Sequence, residues 1–447
     1  MRGVWLALLV GCGGAVPELM DREALLDPEN CQSCHPAHYE EWSGSMHAYA
    51  AEDPVFVAMN ARGQRETNGE LGDFCVDCHA PLAVQEGYTT DGLNLDEVPD
   101  HLQGVTCAFC HQVTDVEDDH NNPLVLAVDQ IFRGALSNPV EPGVHLVEYS
   151  ELLDRDEMKS SEMCGSCHDI VSPSGVHLER TFLEWQQSLY SEETAGFGLS
   201  CSGCHMRGRD DVAADVEGVP VRRVHSHTFA GVDVALTPFP QAEEQRAEVQ
   251  KSLDTAVAAT LCVGSPNGST VAVITLENVA AGHAWPSGAA QDRRAWVEVR
   301  AYDGDSVVWS SGTLEDGRPL VELMEEDDDL WSFGDTMLDA SGEPVHFFWE
   351  AESLTSNLLL PPPYGSTPMD VVNHQTKTYL MPGVVADRIE MNVHIRPMGL
   401  DILDELIDSG DLDPMVRSEM PVFTMDGPSL TWTPETGFEN GDTTCVK

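Results

Sequence analysis

The chain has 447 residues, enough for two or three domains, and carries 76 acidic against 23 basic residues, a formal charge of −53. A surface of that sign repels nucleic acid and anionic lipid and steers toward cationic partners. It is equally the surface of a salt-adapted protein, in which screening makes high charge tolerable.

The chain opens with Arg2 and the apolar run Val4 to Val10. That run is too short to span a bilayer and reads as the core of an export signal. Leu9-Val10-Gly11-Cys12 resembles a bacterial lipobox, which implies cleavage before Cys12 and lipidation of its thiol. The leader is short for such a signal, and plain secretion is the alternative. Residues 1–12 are thus read as signal and residues 13–30 as a tether. No later stretch is long and apolar enough for a transmembrane helix. Export permits disulfides, so Cys262 and Cys445 either pair or stand as separate thiols.

Cys31-x-x-Cys34-His35 is the first of five such motifs. The others are Cys75-x-x-Cys78-His79, Cys107-x-x-Cys110-His111, Cys164-x-x-Cys167-His168 and Cys201-x-x-Cys204-His205. Two Cys three apart sit on one side of a helical turn, where their thiols can add to the two vinyl groups of one porphyrin. The following His is placed to give a ring nitrogen to the iron. Zinc sites also use Cys-x-x-Cys pairs, but zinc does not need a His after every second Cys. Five covalently attached haem c groups are therefore expected.

Pro36 suits a first helical position, and Tyr39, Trp42, Met46 and Tyr49 recur at helical spacing, which predicts a helix over 36–50. On a continuous helix His47 lies roughly 18 Å from His35. It is then either the distal ligand of a different haem or a surface histidine. Residues 50–106 are turn-rich, and 115–122 read as an exposed acidic loop. Residues 178–190 read as helical and repeat the Glu-Trp-x-x-Ser spacing of 41–45. Arg207, Arg209, Arg222 and Arg223 either neutralise haem propionates or are ordinary surface arginines. Residues 20–240 show few long apolar segments, so this region is expected to depend on porphyrin for its core.

After Pro238 the pattern changes. Residues 242–260 read as a helix and its lead-in. Short β-type runs follow at 271–276, 295–302, 307–310, 345–350, 376–381 and 388–395, which suggests a β-sandwich. Glu325 to Asp329 reads as a solvated loop or, less simply, a calcium site. Pro361, Pro362 and Pro363 read as a stiff connector, and 399–409 as a short helix.

Several motifs carry a resemblance. They are Tyr39-x-Glu41-Trp42-x-x-Ser45-x-His47, Gly104-Val105-x-Cys107, Thr181-x-x-Glu184-Trp185-x-x-Ser188 and His227-x-Phe229-x-Gly231. The first half resembles bacterial multihaem cytochromes c of the c-552/4 type. The second half, with Asn278, Gly282-His283, Pro286-x-Gly288 and Arg294, resembles the immunoglobulin-like domain that follows such regions. The fold implied is α+β and multidomain: a haem-packed, mostly α or irregular pentahaem domain over 31–240, then a β-sandwich with a short helix over 241–447. The resemblance raises His47, His145, His227 and His283 as distal ligands opposite the proximal His35, His79, His111, His168 and His205. His225 competes with His227. A fifth distal ligand is not evident; His101, His120 and His177 are weak candidates, and His38, His346, His374 and His394 read as surface or packed residues.

Electron relay between redox proteins, some with cationic docking surfaces, is the leading function. An enzyme acting on nitrite or hydroxylamine at one open haem is the alternative, and a subunit of a haem-wired assembly is the third. The expected location is outside the cytoplasm, lipid-anchored to the outer membrane and facing the periplasm or cell surface.

Overall fold

The computed structural model describes residues 19–140, 143–193, 196, 198–365 and 372–447. The leader and Cys12 therefore lie outside the described residues. Among the described residues no helix is long and apolar enough to cross a membrane.

Up to residue 241 the chain is a series of short helices and turns with four two-stranded sheets. The longest helix here is Pro54–Glu66, capped by the Asp53 carboxylate on Val55 N. The expected helix over 36–50 is two helices, Pro36–Ser43 and Met46–Tyr49. Gly44 ends the first, and the Ser45 hydroxyl caps the second by accepting from Ala48 N at 3.4 Å, as Ser does at an N-cap. His47 is thereby turned away from the axis that carries His35. The stretch 178–190 is also broken. It runs from the strand His177–Glu179 through the helix Thr181–Gln186 to a 3₁₀ turn at Leu189–Ser191.

The helix Ala242–Ala256 leads into two antiparallel sheets packed face to face. One orders its strands 374–381, 270–278, 257–264, 443–446 and 438–440. The other orders 306–311, 294–303, 388–396 and 423–432, with 331–333 also paired to 294–303. Strands 257–264 and 388–396 alternate buried and half-buried residues, the period-2 pattern of a strand with one face in the core. Leu261, Ile274, Val297, Met391 and Tyr379 meet between the sheets. The strand at 294–303 is buried on both faces, because Leu320 and Leu323 of the helix 320–326 cover Trp296 on its outer side.

Two expectations in this half needed correction. Residues 257–260 belong to a strand, not to the end of the preceding helix. The run 345–350 keeps only Pro344–Val345 as strand, and Phe348–Glu350 forms a 3₁₀ turn. Its aromatic residues pack sideways, Phe347 on Trp349 and under the Arg62 guanidinium. The prolines at 361–363 are docked: Pro362 O accepts from Leu189 N at 2.7 Å. Within 325–329, Asp327 accepts from Ser311 Oγ and Gly312 N, so that carboxylate serves a turn.

The two halves share a core. Val55 and Ala58 of the helix 54–66 and Leu236 pack against Phe347, Leu400, Leu403 and Leu406, and Arg65 pairs with Asp411 at 2.6 Å. Cys262 and Cys445 form a disulfide across a sequence separation of 183. Such a cross-link over a long loop is worth about 2–4 kcal/mol.

Asp335 supplies a pH test of the β half. Burial pushes its carboxyl up to about 6, and its buried Oδ1 has no hydrogen-bond partner. The folded pKa lies above the unfolded value of about 3.9, so this stabilisation is complete below about pH 4 and is lost as pH rises toward about 6. Asp335→Asn should flatten the fall in the urea midpoint between those pH values. An unchanged slope would assign the fall to other groups.

Candidate haem-binding site

Three of the motifs lie on a turn of helix, Val76–His79, Cys107–His111 and Cys201–His205, and in the first and fourth a helix, Glu29–Gln32 or Ser160–Gly165, ends in a turn inside the motif. The His backbone N–H bonds the carbonyl of the first Cys, at 2.8 Å for His35, 3.3 Å for His79 and 3.1 Å for His168. Helical winding therefore puts both thiols and the imidazole on one side, as covalent haem attachment requires. All ten motif cysteines and all five motif histidines line a single connected cavity of about 1440 Å³.

The imidazoles in that cavity come in pairs. Ring centres lie 6.3 Å apart for His35 and His145, 6.2 Å for His47 and His168, 6.4 Å for His111 and His227, and 6.4 Å for His205 and His283. That is too far for stacking or a hydrogen bond. Two metal–nitrogen bonds of about 2.0 Å, plus about 1.15 Å from each ring centre to its nitrogen, give about 6.3 Å. The spacing fits one iron between each pair.

The ring nitrogens agree. Nδ1 of His35 meets Ala213 O at 2.6 Å, that of His111 meets Arg133 O at 2.5 Å, and that of His205 meets Ala230 O at 2.9 Å. Nδ1 of His145, His227 and His283 meets Leu146 O, His225 O and Ala284 O. A proton held on Nδ1 leaves Nε2 bare to ligate metal, the usual outer-shell arrangement. Burial pushes His47 down to about 3 and His168 to about 4, and lowers His35, His111, His205, His227 and His283. These groups stay neutral, which is the ligating form.

The second motif differs. His79 Nδ1 meets Ala50 O at 2.9 Å, and its ring stacks on Phe56 at 3.9 Å and 3°. Among the described residues no second imidazole stands opposite it. Of the weak candidates, His120 pairs with Asp119 at 2.8 Å in an exposed loop, and His177 is exposed on its strand. His225 contributes its carbonyl to His227.

His283 reaches the cavity because its turn docks on the helix Thr181–Gln186. Glu184 accepts from Ala284 N at 3.1 Å and from Ser287 Oγ at 2.7 Å, while Thr181 Oγ1 accepts from Gly288 N at 3.0 Å. The peptide bond between Trp285 and Pro286 in this turn is cis. Gly104 has a comparable role near His47. It adopts φ +71°, and a Cβ there would lie 2.6 Å from Ala48 O.

His38 reads in the sequence as a surface or packed residue; it is packed, with its ring 4.9 Å from that of His227 inside the cavity. Its position three residues after His35 on a helix was the available signal. Phe229, at φ +47°, sits 4.5 Å from His47. Of the arginine cluster, Arg207, Arg209 and Arg223 line the cavity. Arg209 is paired with Glu41 and Asp211, and Arg222 bonds Asn138.

Residues 30–112 match the family model described as cytochrome c554 and c-prime. No curated protein sequence matches the chain. The penta-heme cytochrome c552 from Thermochromatium tepidum is similar in structure, with a TM-score of 0.60 at 18% identity over 91% of this chain and 98% of that one. At that identity the likeness concerns the fold. Motifs, cavity, the family match over residues 30–112 and the fold point the same way: the chain is similar to multihaem c-type cytochromes.

Proposed function

We propose that the chain is an exported pentahaem cytochrome that relays electrons between redox proteins. The observation that carries this is the set of four imidazole pairs at 6.2–6.4 Å in one cavity. In this reading His145, His47, His227 and His283 are the distal ligands opposite His35, His168, His111 and His205. The attachment cysteines are Cys31, Cys34, Cys75, Cys78, Cys107, Cys110, Cys164, Cys167, Cys201 and Cys204.

Haem supplies one-electron transfer when bound, at potentials that axial ligands, burial and hydrogen bonds set. The chain's own part is to hold the imidazoles neutral and oriented and to keep the attachment points close. Thiols of different motifs lie next to one another: Cys31 beside Cys107, Cys78 beside Cys167, and Cys164 beside Cys201. Groups attached there are near neighbours too, which supports a relay. The haem region is taken as residues 31–240 and the sandwich as 241–447. Lipidation at Cys12 would anchor the protein to the outer membrane. The charge of −53 favours cationic partners.

One observation favours a second reading. Among the described residues His79 has no imidazole opposite it, so its haem would keep an open position where nitrite or hydroxylamine could react. Stopped-flow mixing separates the two. The relay predicts fast reoxidation of reduced protein by a cationic redox protein, slowing as salt is raised. Rapid catalytic turnover of nitrite or hydroxylamine, with slow and salt-independent protein reoxidation, would replace the relay by the enzyme.

A further inference from the structure

The Glu-Trp-x-x-Ser spacing occurs twice, and the surroundings of both copies match. In the first, Trp42 Nε1 donates to Val105 O at 2.8 Å. In the second, Trp185 Nε1 donates to Leu199 O at 2.9 Å. Val105 stands two residues before Cys107, and Leu199 two residues before Cys201. Each Trp thus fixes the approach to a motif later in the chain.

The preceding glutamates match as well. Glu41 Oε2 accepts from His227 N at 3.0 Å, and Glu184 Oε2 accepts from Ala284 N at 3.1 Å. Each carboxylate therefore grips the backbone that carries the imidazole facing the motif its own Trp has fixed: His227 opposite His111, and His283 opposite His205. Each serine caps the turn that follows its helix. Ser45 Oγ accepts from Ala48 N, and Ser188 Oγ accepts from Tyr190 N.

The thiols complete the correspondence. The helix Pro36–Ser43 follows the first motif, and Cys31 of that motif neighbours Cys107. The helix Thr181–Gln186 follows the fourth motif, and Cys164 of that motif neighbours Cys201. The second copy differs by the hairpin Ile170–Val171 with His177–Glu179, inserted between motif and helix.

We infer that the chain contains two copies of one two-haem module, and that Glu41 and Glu184 are its positioning residues, each setting the distal imidazole of one haem. The copies diverge at one informative place. His47, two residues after Ser45, corresponds to Tyr190, two residues after Ser188. His47 faces His168 in the other copy, whereas the Tyr190 hydroxyl is spent on Val279 O at 2.5 Å. His47 therefore ties the first copy to the second, and nothing ties them in the reverse sense at this position.

The inference rests on the ligand pairs proposed above. Its test is low-temperature EPR of the oxidised holoprotein, with haem content measured on the same samples. In Glu41→Ala the low-spin signal of one haem should shift, and in Glu184→Ala that of a different single haem. Glu41→Gln and Glu184→Gln keep an acceptor oxygen and should restore most of each signal. Haem content should stay at the wild-type value in all four. Unshifted signals in both alanine variants, one shared haem affected by both, or a uniform loss of haem would each overturn the module. If the ligand pairs themselves were wrong, the wild-type spectrum would lack the bis-histidine low-spin signals before any substitution was made.

Discussion

Protein produced in cells unable to attach haem should keep its β-sandwich and lose the fold of the region before residue 240. Without porphyrin, the apolar side chains around a cavity of about 1440 Å³ lose the packing partner that fills it, a loss set against a total stability of only about 5–15 kcal/mol typical of a domain. The apolar cluster nearest the first three motifs includes Leu25, Phe56, Phe109 and Phe132, and these four also line the cavity, so they lose packing when it holds no porphyrin. The sandwich, by contrast, has its own core between two sheets and the Cys262–Cys445 cross-link. Limited proteolysis followed by mass spectrometry should leave a resistant fragment starting close to the helix Ala242–Ala256, which packs on the strand 423–432. The same digestion of holoprotein should leave the region before it intact. Haem-free protein that resists digestion throughout would show that the cavity holds its shape without porphyrin.

What could be read from residues alone followed the range of the interaction that made it. The attachment motifs were legible because one helical turn holds the whole constellation. The sandwich strands at 270–278 and 388–396 were legible because alternation is a local pattern, and the one at 294–303, buried on both faces, because it is a short β-type run between turn residues. The strand at 257–264 was missed because Ala258, Ala259 and the helix before it favour continuing the helix. Yet Val257, Ala259, Leu261 and Val263 are the residues buried, so tertiary packing overrode propensity. The break at Gly44 and Ser45 looked like a helix interior, although Ser followed by a short apolar turn is also a cap signal. Which imidazole faces which could not be read, since His35 and His145 meet across more than a hundred residues. His283 required knowing that Glu184 and Thr181 hold its turn, contacts about a hundred residues apart in sequence.

The four distal assignments can be separated by counting ligand. Reduced wild-type holoprotein should bind one equivalent of carbon monoxide, at the haem of His79, because every other motif imidazole has a partner opposite. His47→Ala, His145→Ala, His227→Ala and His283→Ala should each bind two, and each should convert one further haem to high spin when oxidised. The substitutions remove a ring and little else. The His47 carbonyl still accepts from Val105 N, the His227 amide still reaches Glu41, and the His283 turn stays docked through Ala284, Ser287 and Gly288. Ligand loss is thereby separated from loss of fold, and haem content should not change. His101→Ala, His120→Ala and His177→Ala should remain at one equivalent. A variant of the first four that stays at one would remove that histidine from the ligand set. Wild-type protein that binds none would mean that a group other than histidine closes the haem of His79, and the enzymatic reading would fall with it; the four variants would then rise from none to one, leaving the pairing itself intact.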